Sequence, residues 1–144
     1  MEEAYRKSGH DAEVHAYTPR LPYLMGRSDL VISRAGGTTL AEIAVLGVPS
    51  LLVPYPHHRD RHQERNARVL VEGGAARLLE ESALDAARLG EAFRELLLCP
   101  SRLEELGARA RALARPGAAD SVVDQALELV EARSGCRSRS VYSS

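Results

Sequence analysis

Three short, mostly apolar stretches punctuate this chain, DLVIS (29–33), SLLV (50–53) and AARLL (75–79), the first with Leu30, Val31 and Ile32 in succession. Runs of this length without alternation predict strands covered on both faces, as in a parallel sheet. Between them the period changes. TLAEIAVL (39–46) repeats as a helix does, with Gly47 as a stop and Pro49 just beyond. A second helical segment runs from about Arg61 to Glu72 and is closed by Gly73 and Gly74. Alternation in DAEVHAY (11–17) predicts a further strand. MEEAYRKSG reads as a short helix ending near Gly9, and Thr18, Pro19 and Pro22 open another that runs through Met25. Residues 85–97, 101–114 and 119–132 read as three closing helices, and Ser101 and Glu104 have capping-box spacing. The tail, SGCRSRSVYSS, is low in complexity and is expected to be disordered, which divides the chain into a folded part, 1–132, and a tail, 133–144. Strands alternating with helices make the fold class α/β, a mainly parallel, Rossmann-like sheet with helices on both faces.

Composition narrows the function classes. At 144 residues the chain is one domain, small for a complete two-substrate enzyme. Nineteen basic and twenty acidic residues leave a net charge of −1, so no global field recruits nucleic acid. Cys99 and Cys136 lie far apart, with neither a disulfide framework nor metal-ligand spacing. A reducing, cytoplasmic setting is the expectation. No run of roughly 18 apolar residues is present to span a membrane.

Candidate chemistry gathers in two loops. SRAGGTT follows the strand at 29–33 and opens the helix at 39–46. In an open parallel sheet, ligands sit beyond the carboxyl ends of the strands. Glycines there let a ligand approach without a Cβ in the way, or let the backbone take positive φ. Free amides at a helix start favour a phosphate, and Thr38 and Thr39 add hydroxyls. A competing reading needs no ligand: Thr39 and Glu42 have capping-box spacing, and Gly36 and Gly37 make a tight turn.

The second loop, VPYPHHRDRHQERNA (53–67), emerges on the same sheet edge. Gln63 offers donors and an acceptor, as sugar hydroxyls require. The alternative is a polar loop in which Asp60 caps the next helix and Gln63 reaches back. His58 and His62 are four residues apart, as in some metal pairs, yet no third ligand is evident, so neither a metal nor a cofactor is expected.

Together, SRAGGTTLAEIAVLGVPSLLVPYPHHRDRHQERNARVLVEGGAA resembles the donor-binding segment of the MurG family. The family pattern runs R-[SA]-G-x-x-T-x-x-E, then G-x-P, then D-x-x-Q-x-x-N-A, here ending in Asp60, Gln63, Asn66 and Ala67. The resemblance extends over about residues 1–130. It implies the C-terminal half of a two-domain GT-B glycosyltransferase that moves N-acetylglucosamine from its UDP donor to a lipid-linked peptidoglycan precursor. It also implies site roles. Arg34, Gly36, Gly37, Thr38 and Thr39 would lie against the diphosphate and sugar, Glu42 would hold the ribose hydroxyls, and Gln63 with His62 would meet the N-acetylglucosamine. In that family the full-length protein works on the cytoplasmic face of the inner membrane.

The departures carry as much weight. The family's GGSxG-type loop and opening strand, and its acceptor-binding N-terminal half, have no match in this chain. The expectation is a fragment lacking its first strand, inactive alone and poorly soluble. No catalytic base is assigned, since His57, His58 and His62 all fall in the donor loop. Three alternatives stay open: a stand-alone subunit docking on a separate acceptor subunit, another UDP-sugar GT-B transferase, and a ligand-free α/β domain. Ser33-Arg34 speaks against those transferases that place histidine before the glycine turn.

Overall fold

The computed structural model describes residues 2–57 and 60–138. Three strands form one parallel sheet in the order β1 (Val31–Ser33), β2 (Ser50–Leu52), β3 (Ala76–Leu78). Register pairs Val31 with Ser50 and Ser50 with Ala76. The helices are α1 (Glu2–Ser8), α2 (Leu21–Gly26), α3 (Gly37–Leu46), α4 (His62–Glu72), α5 (Ala86–Leu97), α6 (Pro100–Ala112) and α7 (Ala118–Ser138). A single 3-10 turn, Glu81–Ala83, follows β3.

Strand β2 is central and wholly buried. Its pleat sends Leu52 to one face, with Leu40 and Ile43 of α3 and Ala67 and Leu70 of α4. Leu51 goes to the other, with Ala92 and Leu96 of α5 and Leu106 of α6. Each leucine, fully removed from water, contributes about 1.5–3 kcal/mol. Helices therefore do cover both faces, as the mostly apolar runs imply.

Helix α3 ends at Gly47, whose φ of 65° is the left-handed value glycine adopts without penalty. Gly47 N–H donates to the Ile43 carbonyl at 2.9 Å, and Arg111 Nη2 donates to the Leu46 carbonyl at 2.8 Å. Helix α6 crosses here with almost no clearance. A Cβ on Gly107 would stand 2.6 Å from the Gly47 carbonyl oxygen and 3.5 Å from Pro49 Cδ.

Several sequence expectations are corrected. Residues 11–17 form no strand, because a strand exists only by pairing and no described strand lies alongside them. Helix α3 starts at Gly37 with Gly36 as its N-cap, so Thr39 already lies inside the first turn and the Thr39–Glu42 capping box does not form. Helix α6 starts at Pro100 with Cys99 at the N-cap, which moves Ser101 inside the helix and removes its capping role. Pro100 suits a first-turn position, where its missing N–H is no loss. Helix α7 continues to Ser138, past the boundary placed at 132. The later tail residues lie outside the described ones. Asp85, by contrast, caps α5 in earnest, accepting from Arg88 N–H at 2.8 Å.

Gly107→Ala is expected to destabilise the chain by about 1–3 kcal/mol, because overpacking against a backbone carbonyl outweighs the better helix propensity of alanine. Urea unfolding of both proteins measures it. An alanine variant as stable as the parent would show that α3 and α6 are not in this close contact.

Candidate functional site

Parallel pairing brings the carboxyl ends of all three strands to one edge, and the loops that leave them converge. The first leads from Ser33 into α3. Among the described residues, the backbone bond that closes its first turn is Leu40 N–H to the Gly36 carbonyl at 3.0 Å. No side chain caps the helix and no acid occupies its first turn. The amides of Gly37, Thr38 and Thr39 therefore face outward without a backbone or capping partner among the described residues, at the positive end of the helix dipole.

The two glycines are not there for backbone geometry. Gly36 has φ −70° and ψ 140°, which any residue can adopt, and Gly37 is not among the positive-φ residues. A Cβ on Gly36 would come no nearer than 3.8 Å to Thr39 Oγ1, and one on Gly37 would meet Asn66 Nδ2 at 4.0 Å. Both distances are ordinary contacts. The tight-turn reading of the glycines is thus set aside. What the pair creates is a surface bare of side chains directly over free helix amides.

Thr38 and Glu42 lie four apart on α3 and so share a face. Thr38 is exposed and Glu42 half-buried. Glu42 makes no hydrogen bond or ion pair with another described residue. Its carboxylate is available to an outside donor.

Arg34, expected on the turn that would lie against the diphosphate and sugar, directs its side chain to the neighbouring strand ends. Its guanidinium makes a two-pronged pair with Glu81, Nη1 to Oε2 at 2.9 Å and Nη2 to Oε1 at 2.7 Å. Nη1 also reaches the carbonyls of Val53 and Pro54, at 3.3 and 3.4 Å. The ring of Tyr55 lies beneath it, 5.5 Å away. One side chain thereby joins the ends of all three strands. Donating to the Glu81 carboxylate raises the Arg34 pKa above its ordinary value, and accepting from Arg34 holds the Glu81 carboxyl below the usual glutamate range.

The second loop is tied to the first. Asn66 Nδ2 donates to the Ala35 carbonyl at 3.3 Å, and Gln63 Oε1 accepts from Tyr55 N–H at 3.0 Å. Gln63 thus reaches back across the loop, although to Tyr55 rather than to the helix start. Arg61, at φ 48°, takes the N-cap position of α4 and pairs with Glu64. His62 Nδ1 lies 2.8 Å from Asp60 Oδ1, and this contact lowers the Asp60 pKa. Asp60 is therefore engaged with the His62 ring, and only its 3.4 Å contact with His62 N–H resembles a cap. His58 and Arg59 lie outside the described residues, so the His58–His62 pair is not placed. Among the described residues no three His, Cys, Asp or Glu side chains gather as metal ligands.

A cavity of about 630 Å³ opens beside the Arg34–Glu81 pair, lined by Pro54, His57, Arg61, Arg68, Glu80 and Glu81 among others. No residue of the glycine turn lines it. The structure thus brings Arg34, Gly36, Gly37, Thr38, Thr39, Glu42 and Gln63 to one edge, with His62 at the start of α4. Sequence reasoning missed Glu81, which is 47 positions from Arg34 and carries no local signal. It also missed Tyr55 as the floor under the guanidinium.

Comparison with known proteins agrees with this geometry. The glycosyltransferase family 28 C-terminal domain matches residues 1–122, and the chain belongs to that family. A protein of Stutzerimonas stutzeri is 44% identical over 128 residues, which are 89% of this chain and 36% of the relative. It is named UDP-N-acetylglucosamine--N-acetylmuramyl-(pentapeptide) pyrophosphoryl-undecaprenol N-acetylglucosamine transferase. A protein of Pseudomonas putida with the same name is 41% identical over 88% of this chain and 35% of its own length. Among solved structures, MurG of Acinetobacter baumannii superposes with a TM-score of 0.75 at 32% identity, over 85% of this chain and 37% of that one. The chain spans little more than a third of the length of these relatives. The fold is that of the C-terminal domain of a GT-B transferase. No helix among the described residues is long and apolar enough to cross a membrane.

The Arg34–Glu81 pair has a readable signature. Because the folded-state pKa of Glu81 is lowered, its stabilisation is complete above the ordinary glutamate range and is lost as pH falls through the lowered value. A carboxyl-carbon NMR titration is expected to place Glu81 below the usual glutamate range, and Arg34→Gln to return it toward that range. A Glu81 that titrates in the usual range in the parent chain would mean that the pair does not persist in solution.

Proposed function

We propose that this chain is the donor-binding part of an inverting glycosyltransferase that moves N-acetylglucosamine from UDP-N-acetylglucosamine to a lipid-linked muramoyl-pentapeptide in peptidoglycan synthesis. The observation that carries the reading is the start of α3, with uncapped amides under two glycines that the fold itself does not require. Only an outside group gains from the missing side chains, and a diphosphate suits both the amides and the dipole. The amides of Gly37, Thr38 and Thr39, with the threonine hydroxyls, hold the diphosphate. Glu42, one turn further on, accepts hydrogen bonds from the ribose hydroxyls, and its lack of an internal partner leaves it free to do so. Gln63 uses its amide nitrogen on the sugar hydroxyls, with His62 beside it.

Transfer with inversion needs stabilisation of the charge that develops on the departing diphosphate, together with a base on the attacking hydroxyl. The helix start supplies the first, because its dipole and amides are already aimed where charge develops. No residue here is assigned as the base. The acceptor is held by the part of such enzymes that this chain does not span, so the chain alone binds donor without transferring it. The whole enzyme works at the cytoplasmic membrane face, where its lipid-linked acceptor resides, and serves cell-wall growth and division.

Calorimetric titration with UDP tests the reading. The parent chain is expected to bind. Glu42→Ala should weaken binding about tenfold or more, the worth of hydrogen bonds to a charged group. Gly37→Ala should leave the unfolding midpoint unchanged or raised, since alanine is the better helix former, and yet abolish most of the binding. A folded parent that does not bind UDP, or a Gly37→Ala variant that binds it equally well, would overturn the assignment.

A further inference from the structure

Arg34 sits two residues before the N-cap of α3, yet its bidentate face is already filled. Carboxylate and phosphate make the same two-pronged contact with a guanidinium, so the Glu81 carboxylate occupies the position a phosphate oxygen pair would take. The pair is not locked away. The two side chains keep 46% and 29% of their area exposed, and water screens their attraction. Glu81 rides on a 3-10 turn of three residues whose N-cap, Glu80, makes no side-chain capping bond, so the carboxylate stands on a short support. The other anchors of Arg34 are the carbonyls of Val53 and Pro54 and the ring of Tyr55, none of which competes for an anion. If Glu81 swings away, the guanidinium stays where it is, with one fork open beside the glycine turn.

We propose that Glu81 is an internal competitor for the diphosphate of the nucleotide donor, holding the phosphate-binding face of Arg34 until a ligand carrying more negative charge displaces it. The proposal rests on the donor-site reading of the α3 turn. It assigns Glu81 a part in selectivity. A monophosphate, close to dianionic near pH 7, has one phosphoryl group and can fill either the α3 amides or the fork of Arg34, whereas a diphosphate can hold both together. The site therefore favours nucleoside diphosphates over monophosphates by more than the added phosphate alone would.

The test measures affinity of the whole chain for UDP, UMP and inorganic pyrophosphate, in the parent, in Glu81→Gln and in Glu80→Gln. Glu80 is the control. It is the adjacent acid on the same cavity, and its carboxylate makes only a long 3.5 Å contact with Ser82 rather than an ion pair. Glu81→Gln is expected to bind UDP and pyrophosphate about two- to fivefold tighter, the range set by losing a half-exposed ion pair, and to narrow the preference for UDP over UMP. Glu80→Gln should change each affinity by less than about twofold, the effect of one screened charge. In the parent, saturating pyrophosphate should shift the Arg34 side-chain N–H resonances and release the Glu81 carboxyl-carbon signal toward that of an unpaired glutamate, a readout that needs no variant. Glu81→Gln binding no tighter than the parent, or Glu80→Gln tightening it equally, would overturn the competitor role while leaving the donor site standing. UDP failing to bind any of the three would remove both.

Discussion

Everything in this domain hangs on burying a strand of three residues on both faces and along both edges. Ser50, Leu51 and Leu52 are fully buried, with a parallel neighbour on each side and two helices over each face. Parallel neighbours cannot be joined by hairpins. Each connection must cross over and return through a helix, which is why α3 and α4 alternate with the strands. The same requirement delivers every strand-to-helix loop to one edge. The candidate site is therefore a consequence of the core: Arg34 follows β1 directly, and Tyr55 lies three residues past β2.

Loops that converge still need fixing relative to one another, and local hydrogen bonds do that here. Asn66 reaches from α4 to the Ala35 carbonyl, Gln63 to Tyr55 N–H, and Arg34 to the ends of β2 and to Glu81. None of these contacts is deeply buried, so each is individually modest. Their effect is geometric. They place a half-buried carboxylate, a carboxamide and a row of free amides within one surface, which loops of this composition would not do on their own.

The parts of the fold that local pattern dictates were legible in the sequence, and the parts set by distant partners were not. The mostly apolar runs at 29–33, 50–53 and 75–79 mark the three strands, although of these it is β2 that is buried on both faces, Ile32 and Arg77 being exposed at the centres of β1 and β3. The alternation at 11–17 is equally clear, but a strand depends on a neighbour, and residue pattern alone says nothing of one. Helix starts went astray for a local reason. Thr39 and Ser101 look like caps, yet Gly37 and Pro100 tolerate helical geometry well enough to extend each helix upstream of them. The candidate residues on the turn and on α4 came from motif spacing together with the family resemblance. Glu81 could not, because a salt bridge across 47 residues leaves no periodic trace.

The glycines show how a structure can separate a folding constraint from a functional one. Gly47 and Gly107 are dictated by the chain itself, one by a left-handed φ and the other by a carbonyl 2.6 Å from where its Cβ would be. Gly36 and Gly37 meet neither condition. Two adjacent glycines at the start of a helix also cost conformational entropy and helix propensity that alanine or serine would spare. A serine at Gly36 would additionally cap an end that has no cap. A position where the fold would be better served by another residue, and where no internal contact forbids it, is one whose constraint lies outside the chain. In the donor-site reading proposed above, that constraint is a diphosphate, which suits both a flat approach to the helix amides and the positive end of the helix dipole.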